Sequence, residues 1–190
     1  MSRLLAICFF AFPAVAESDS QIAAVMAHPP FATYYTCSEH SANLDFGLGD
    51  ALGADCVVQK FPEDTDRYWL RSHVGDGSRN EDWYGWREEV LSPCDCTVLD
   101  VRINETTNTP GKMIPGRASS VQLKRDDDTT FVIAHVREVQ VEVGEKVRAG
   151  QTLARVGNNG YSRHPHIHLG AWKGDQPLQI RFDLSRKVVQ

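Results

Sequence analysis

Beyond residue 16 the chain has no apolar run approaching the roughly 18 residues of a membrane-crossing helix, so no transmembrane anchor is expected there. It has no excess of basic side chains either. Lys and Arg number 20 against 25 Asp and Glu, a net charge of −5, and nothing in that balance recommends nucleic acid as a partner. No helix-period pattern of useful length appears after residue 60, which points to an all-β class. Cysteine is scarce, and Cys94 and Cys96 have no second close pair with which to build a thiolate metal site.

What is present begins with MSRLLAICFFAFPAVA. Arg3, the apolar run Leu4 to Phe12 and the AxA pattern at Ala14 and Ala16 predict a secretory signal peptide over residues 1–16, cleaved near Ala16. The product would be exported, periplasmic or secreted. Ile7 is too large for the small residue that a lipoprotein cleavage site wants before Cys8, so no lipid anchor is expected. An exported chain with four remaining cysteines, Cys37, Cys56, Cys94 and Cys96, is expected to form two disulfides. Three pairings are open. Cys94 with Cys96 is disfavoured because a CxC closure is strained, and the bridges are expected to tie an N-terminal extension to the core.

That extension is read as residues 17–66. Ser20 to Met26 suggests a short helix ended by the prolines at 29 and 30. Leu44 to Cys56 is punctuated by glycine and reads as loop with short strands; His40 and Asp45 could be ligands there, or simply members of a solvated loop. The core domain, residues 67–190, opens with three tryptophans and two tyrosines, which form a packed cluster or the wall of a groove. Between them lies a polar insert, His73 to Asp82. Strand signals follow around Val90 and Leu91, and from Thr97 to Ile103. Residues 104–119 form a loop long enough to border a substrate groove. Val121 to Val136 reads as a hairpin about Asp126 to Asp128, and Gly144 and Gly150 punctuate two further short strands. A last strand is expected over Leu178 to Leu184.

The densest chemistry is in NNGYSRHPHIHLGAW, which holds three of the seven histidines. If Ile167, Leu169 and Ala171 face a core, period-2 alternation places His166 and His168 together on the opposite face. Two imidazoles so placed can share one metal ion or one activated water. Two surface histidines on an edge strand are the alternative.

AHV (Ala134 to Val136), VGEKVRAGQTLARVGNNG (Val143 to Gly160) and PHIH (Pro165 to His168) together resemble the zinc metallopeptidases of the lysostaphin and LytM type, which cut peptide bonds in bacterial peptidoglycan. The resemblance covers residues 131–172. It implies an open, barrel-like antiparallel sheet fold, bound Zn2+ and peptidoglycan peptides as partners. It also implies that His168 is a zinc ligand and that His135 and His166 are catalytic, beside the attacking water and the oxyanion. The family's upstream His and Asp are less plainly written. VLSP (Val90 to Pro93) resembles the strand that follows them, which makes Asp82 the preferred carboxylate; the residue four before it is Ser78, so His73 is the imidazole that would complete a set of His73, Asp82 and His168. Two other readings stand beside this one: a degenerate relative that binds peptidoglycan or regulates a hydrolase without cutting, and a lipoyl- or biotinyl-type carrier. The carrier needs a modifiable Lys at the turn where this chain has Asn158 and Asn159.

Overall fold

The structure, a computed structural model, describes residues 21–43, 47–62 and 69–186. The predicted signal peptide, Asp45 and the expected boundary between residues 66 and 67 lie outside the described residues. Among those described, the only helical element is a single 3-10 turn at Asn80–Asp82, and thirteen strands make up the rest of the regular structure. In chain order they are β1 (Ala24–Ala27), β2 (Tyr35–Glu39), β3 (Ala54–Val58), β4 (Glu89–Leu91), β5 (Cys96–Arg102), β6 (Ser120–Lys124), β7 (Thr129–Ala134), β8 (Val136–Arg137), β9 (Lys146–Val147), β10 (Thr152–Val156), β11 (Ile167–Lys173), β12 (Gln176–Pro177) and β13 (Gln179–Phe182).

The main sheet runs β2-β3-β11-β7-β6-β5-β9, with β12 paired to β11, and all of its pairings are antiparallel. A smaller sheet, β4-β10-β8, and the parallel pair β1-β13 accompany it. No sheet closes on itself, so the architecture is the open all-β one that the sequence predicts. Alternation explains how the main sheet forms its core. Val121 and Leu123 of β6, Phe131 and Ile133 of β7, and Ile167, Leu169 and Ala171 of β11 are all fully buried on one face. Ser120, Gln122, Val132, Ala134 and His168 then project from the other face.

Three expectations are corrected. Residues 24–27 form a strand rather than part of a helix: Val25 and Ala27 point inward, Ala24 and Met26 outward, and pairing with β13 fixes a period of 2 that the short apolar run left ambiguous. The disulfides are Cys37–Cys56 and Cys94–Cys96. The CxC pair does close, because β5 begins at Cys96 immediately after the Pro93 bend and leaves the two Cα atoms 5.4 Å apart, an ordinary separation for a bridge. Neither bridge ties an extension to the core. Cys37 and Cys56 are directly opposite in the β2-β3 pair, and that hairpin joins the core through backbone pairing of β3 with β11 instead.

Candidate metal centre and active site

β11 presents the histidines as alternation requires. With Ile167 and Leu169 locked in the core, His168 faces away from it, and His166, just before the strand, faces the same way. Both reach one carboxylate oxygen: His168 Nδ1 lies 3.0 Å and His166 Nε2 3.8 Å from Asp55 Oδ1. Asp55 stands on β3 directly opposite His168 in register, between inward-facing Ala54 and Cys56. The other Asp55 oxygen lies 3.4 Å from His40 Nε2. Three imidazoles therefore converge on one carboxylate.

A loop over residues 47–53 completes the arrangement. Gly49 lies so close over β11 that a Cβ at Gly170 would collide with the Gly49 carbonyl, and a Cβ at Gly53 would come within 2.9 Å of the His168 ring. Only glycines allow this approach. It brings the Gly49 carbonyl oxygen to 2.9 Å and Asp50 Oδ1 to 3.7 Å from His168 Nε2. His40, whose ring centroid is 5.2 Å from that of His168, donates through Nδ1 to the Asp50 carbonyl at 3.2 Å. Ligand atoms of His40, Asp50 and His168 all lie within 4.8 Å of one another, the grouping that a metal ion needs.

The electrostatics suit a cation. Both ring nitrogens of His168 face acceptors, an arrangement satisfied only if the imidazole carries a second proton or a metal replaces one. Burial opposes charge on His168, but the Asp55 bond, the Gly49 carbonyl and the two carboxylates outweigh it and raise the pKa. Burial likewise acts to raise Asp55, and the His168 bond with the neighbouring imidazoles overcomes it and holds the carboxyl well below its usual range. A borderline divalent ion such as zinc takes this kind of donor set, two imidazoles and a carboxylate.

His135 and His166 differ in character. His135 donates through Nδ1 to the Asn159 carbonyl at 2.8 Å, and His166 through Nδ1 to the His164 carbonyl at 2.8 Å. Each is thereby fixed in the tautomer that leaves Nε2 with a free lone pair. Their rings are 4.7 Å apart. Burial pushes His135 down to about 3 and also lowers His166, so both imidazoles are neutral at pH 7. His135 has a φ of 63°, in the left-handed region, between the last residue of β7 and the first of β8; this one residue turns the chain from the main sheet to the smaller one.

His73 and Asp82 are not brought to His168. Asp82 accepts the Arg79 backbone N–H at 3.0 Å and its guanidinium at 2.8 Å, which lowers its pKa. The His73 ring packs on Trp83 at 4.8 Å, and the other neighbour of Trp83 is the His164 ring, stacked at 4.4 Å. Trp83 thus packs against both His73 and His164, the histidine just before the PHIH segment. The imidazole and carboxylates that do meet His168, His40 with Asp50 and Asp55, come from the glycine-rich segment before residue 57. His40 was legible as a candidate; Asp50 and Asp55 were not. The only sequence signal for Asp55 was the alternation of Ala54, Cys56 and Val58.

The cluster forms one end of a cleft of about 460 Å³ lined by His40, Asp55, His135 and His168 and, at its other end, by Arg102 and Arg117. A second cleft of about 390 Å³ runs between Trp86 and residues 103–107, where the sequence suggested the substrate groove, but no histidine lines it.

Solved structures share the fold. A point mutant of the catalytic domain of the prophage-encoded M23 protein EnpA from Enterococcus faecalis is 18% identical, with 80% of this chain and 92% of that one covered, at a TM-score of 0.50. The M23 metalloprotease pseudoalterin, from the deep sea, is 14% identical over 82% of this chain and 75% of that one, also at 0.50. The sequence itself matches Peptidase family M23 over residues 85–180, half of its length, from the aromatic segment through the PHIH histidines to β13, and the chain belongs to that family.

Proposed function

We propose that this protein is an exported, zinc-dependent endopeptidase that hydrolyses peptide bonds in bacterial peptidoglycan. The observation that carries the reading is the division of labour among the buried imidazoles: His168 sits in an acidic nest with His40 and Asp50, while His135 and His166 are neutral and have free Nε2 atoms. His40, Asp50 and His168 would hold the ion. Bound zinc polarises a carbonyl and lowers the pKa of water toward about 7. His166 and His135, each anchored through Nδ1, present unprotonated Nε2 atoms that would take the proton of the attacking water, and the imidazole that takes it would then donate to the developing oxyanion. Their lowered pKa values keep both rings unprotonated at neutral pH. The cleft floor, crossing the strands of the main sheet, suits an extended peptide.

One observation favours a second reading, a peptidoglycan-binding module that does not cut: both nitrogens of His168 are already engaged by Asp55 and Gly49. Incubating zinc-loaded protein with purified peptidoglycan and following newly exposed amino groups separates the two. Release that stops on chelation and returns with zinc supports the peptidase. Binding without release, at about one zinc per chain, establishes the module.

A further inference from the structure

The cleft has the histidine cluster at one end and two arginines at the other, and the main sheet sets their separation. A single row of register partners crosses five strands: Asp55 on β3, His168 on β11, Ala134 on β7, Ser120 on β6 and Arg102 on β5. All five residues line the cleft. Arg102 is three strands from His168, about 14 Å at the usual strand spacing. Arg117, on the loop that leads into β6, lines the same end. That loop is pinned. Asn104 Nδ2 donates to the Arg117 carbonyl at 2.8 Å, the neighbouring Ser119 N–H donates to Asn159 Oδ1 at 2.8 Å, and Gly160 packs so closely on Ala118 that a Cβ there would come within 2.7 Å of its backbone.

Both arginines are exposed, and among the described residues neither meets a carboxylate; Arg71, Arg148, Arg163 and Arg181 share that lack, but only Arg102 and Arg117 line this cleft. In an acidic chain, two uncompensated guanidinium groups on one wall make that end of the cleft locally cationic. A carboxylate is attracted at the Arg102 and Arg117 end, whereas the charges of Asp50 and Asp55 are balanced by the ion and imidazoles they would hold.

We propose that Arg102 and Arg117 form a carboxylate-recognition subsite that selects anionic peptides and sets the direction in which they lie across the histidine cluster. The arginine side chains span part of the distance to His168. What remains corresponds to two or three residues of extended peptide, at about 3.3–3.6 Å each, between the reacting bond and the recognised carboxylate. The carboxylate is an acidic side chain or a free chain terminus; Arg supplies planar, paired donors to either. This assignment rests on the peptidoglycan reading above and deepens it.

The test uses the zinc-loaded full chain and insoluble peptidoglycan whose carboxylates are either free or converted to amides. Cosedimentation at low salt reads binding, and amino-group release is followed separately. Wild type is expected to bind the free-carboxylate material about 10-fold more tightly, the size of a charged hydrogen bond, and to lose this preference as salt is raised. The double variant Arg102→Gln/Arg117→Gln is expected to bring the ratio near one, and Arg102→Lys to keep part of it. Soluble peptides of one sequence, with Glu or Gln inside and a free or amidated end, compete for binding and identify which carboxylate is read. Equal binding of the two materials by wild type, a double variant that keeps the wild-type ratio, or no competition by any acidic peptide overturns the subsite. Failure of the peptidase reading appears differently, as no amino groups released from either material while the binding ratio stands.

Discussion

His135 shows how one residue serves both the backbone and the chemistry. Its left-handed φ is a conformation that costs a side-chain-bearing residue energy, and the gain is a buried ring held between Asn159 and His166. Its folded-state pKa of about 3 lies below the ordinary 6.5, so the unfolded chain takes up the proton first. The stability that neutral His135 contributes is complete above pH 6.5 and is lost progressively as pH falls toward 3. His164 and His166, also lowered, act in the same direction; His168, raised, acts in the opposite one and loses its contribution as pH rises through its pKa. For metal-free protein, the step from about pH 6.5 to about pH 5 should remove about 2 kcal/mol through His135 alone. Urea midpoints should show a shallower decline in His135→Asn, since Asn tolerates the left-handed backbone.

The proposed metal ligands separate by substitution as well. His168→Ala and His40→Ala should each abolish stoichiometric zinc binding, measured by metal analysis after dialysis. His166→Ala should retain the metal while hydrolysis falls about 10²-fold or more. His73→Ala, with its ring on Trp83 and away from the cluster, should retain both metal and activity. Zinc loss in His73→Ala with retention in His40→Ala would reverse the assignment.

At the scale of elements, the β2-β3 hairpin is what brings ligands to β11. β3 carries Asp55 into register with His168, and the chain on either side of the 47–53 loop supplies His40 and Asp50. The Cys37–Cys56 bridge staples that hairpin at directly opposed positions, across a sequence separation of 19. Replacing both cysteines with Ala should cost about 3 kcal/mol in a denaturant titration, the usual value for a loop of that length. It should also weaken zinc binding in a chelator competition. Unchanged zinc affinity alongside lost stability would mean that β3 holds its register through β11 without the bridge. The element-level reading of the sequence was most accurate where alternation is strict, as in β6, β7 and β11. It erred at β1, where only pairing with β13, at the far end of the chain, chooses strand over helix.

For the molecule as a whole, a cation bound as proposed, by residues from β11 and from the segment before β3, would link the first and last thirds of the described chain. A ligand at about 100 times its dissociation constant adds about 2.7 kcal/mol to unfolding. Removing zinc with a chelator should therefore lower the thermal midpoint by about 5–10 °C, and zinc should restore it. His168→Ala should show no such response. A wild-type midpoint indifferent to chelator would argue against a resident metal.

The sequence by itself determined the all-β class, the facing of His166 and His168, and the place of His135, because alternation and turn residues are local and the PHIH, AHV and glycine-punctuated segments lie close together in the chain. It also determined the family, through those same segments. Which residues gather around His168 was decided only by the tertiary structure. His73 and Asp82 are nearer to the VLSP strand in sequence, but the His73 ring packs on Trp83, whose own ring stacks on His164, and Arg79 engages Asp82. His40, Asp50 and Asp55 reach His168 because β3 pairs with β11 across more than a hundred residues, and because glycines at 49, 53 and 170 let a loop lie directly on the strand. Strand pairing at that separation leaves no local signature: the backbone groups that form it are the same in every residue, and only the folded sheet selects which of them meet.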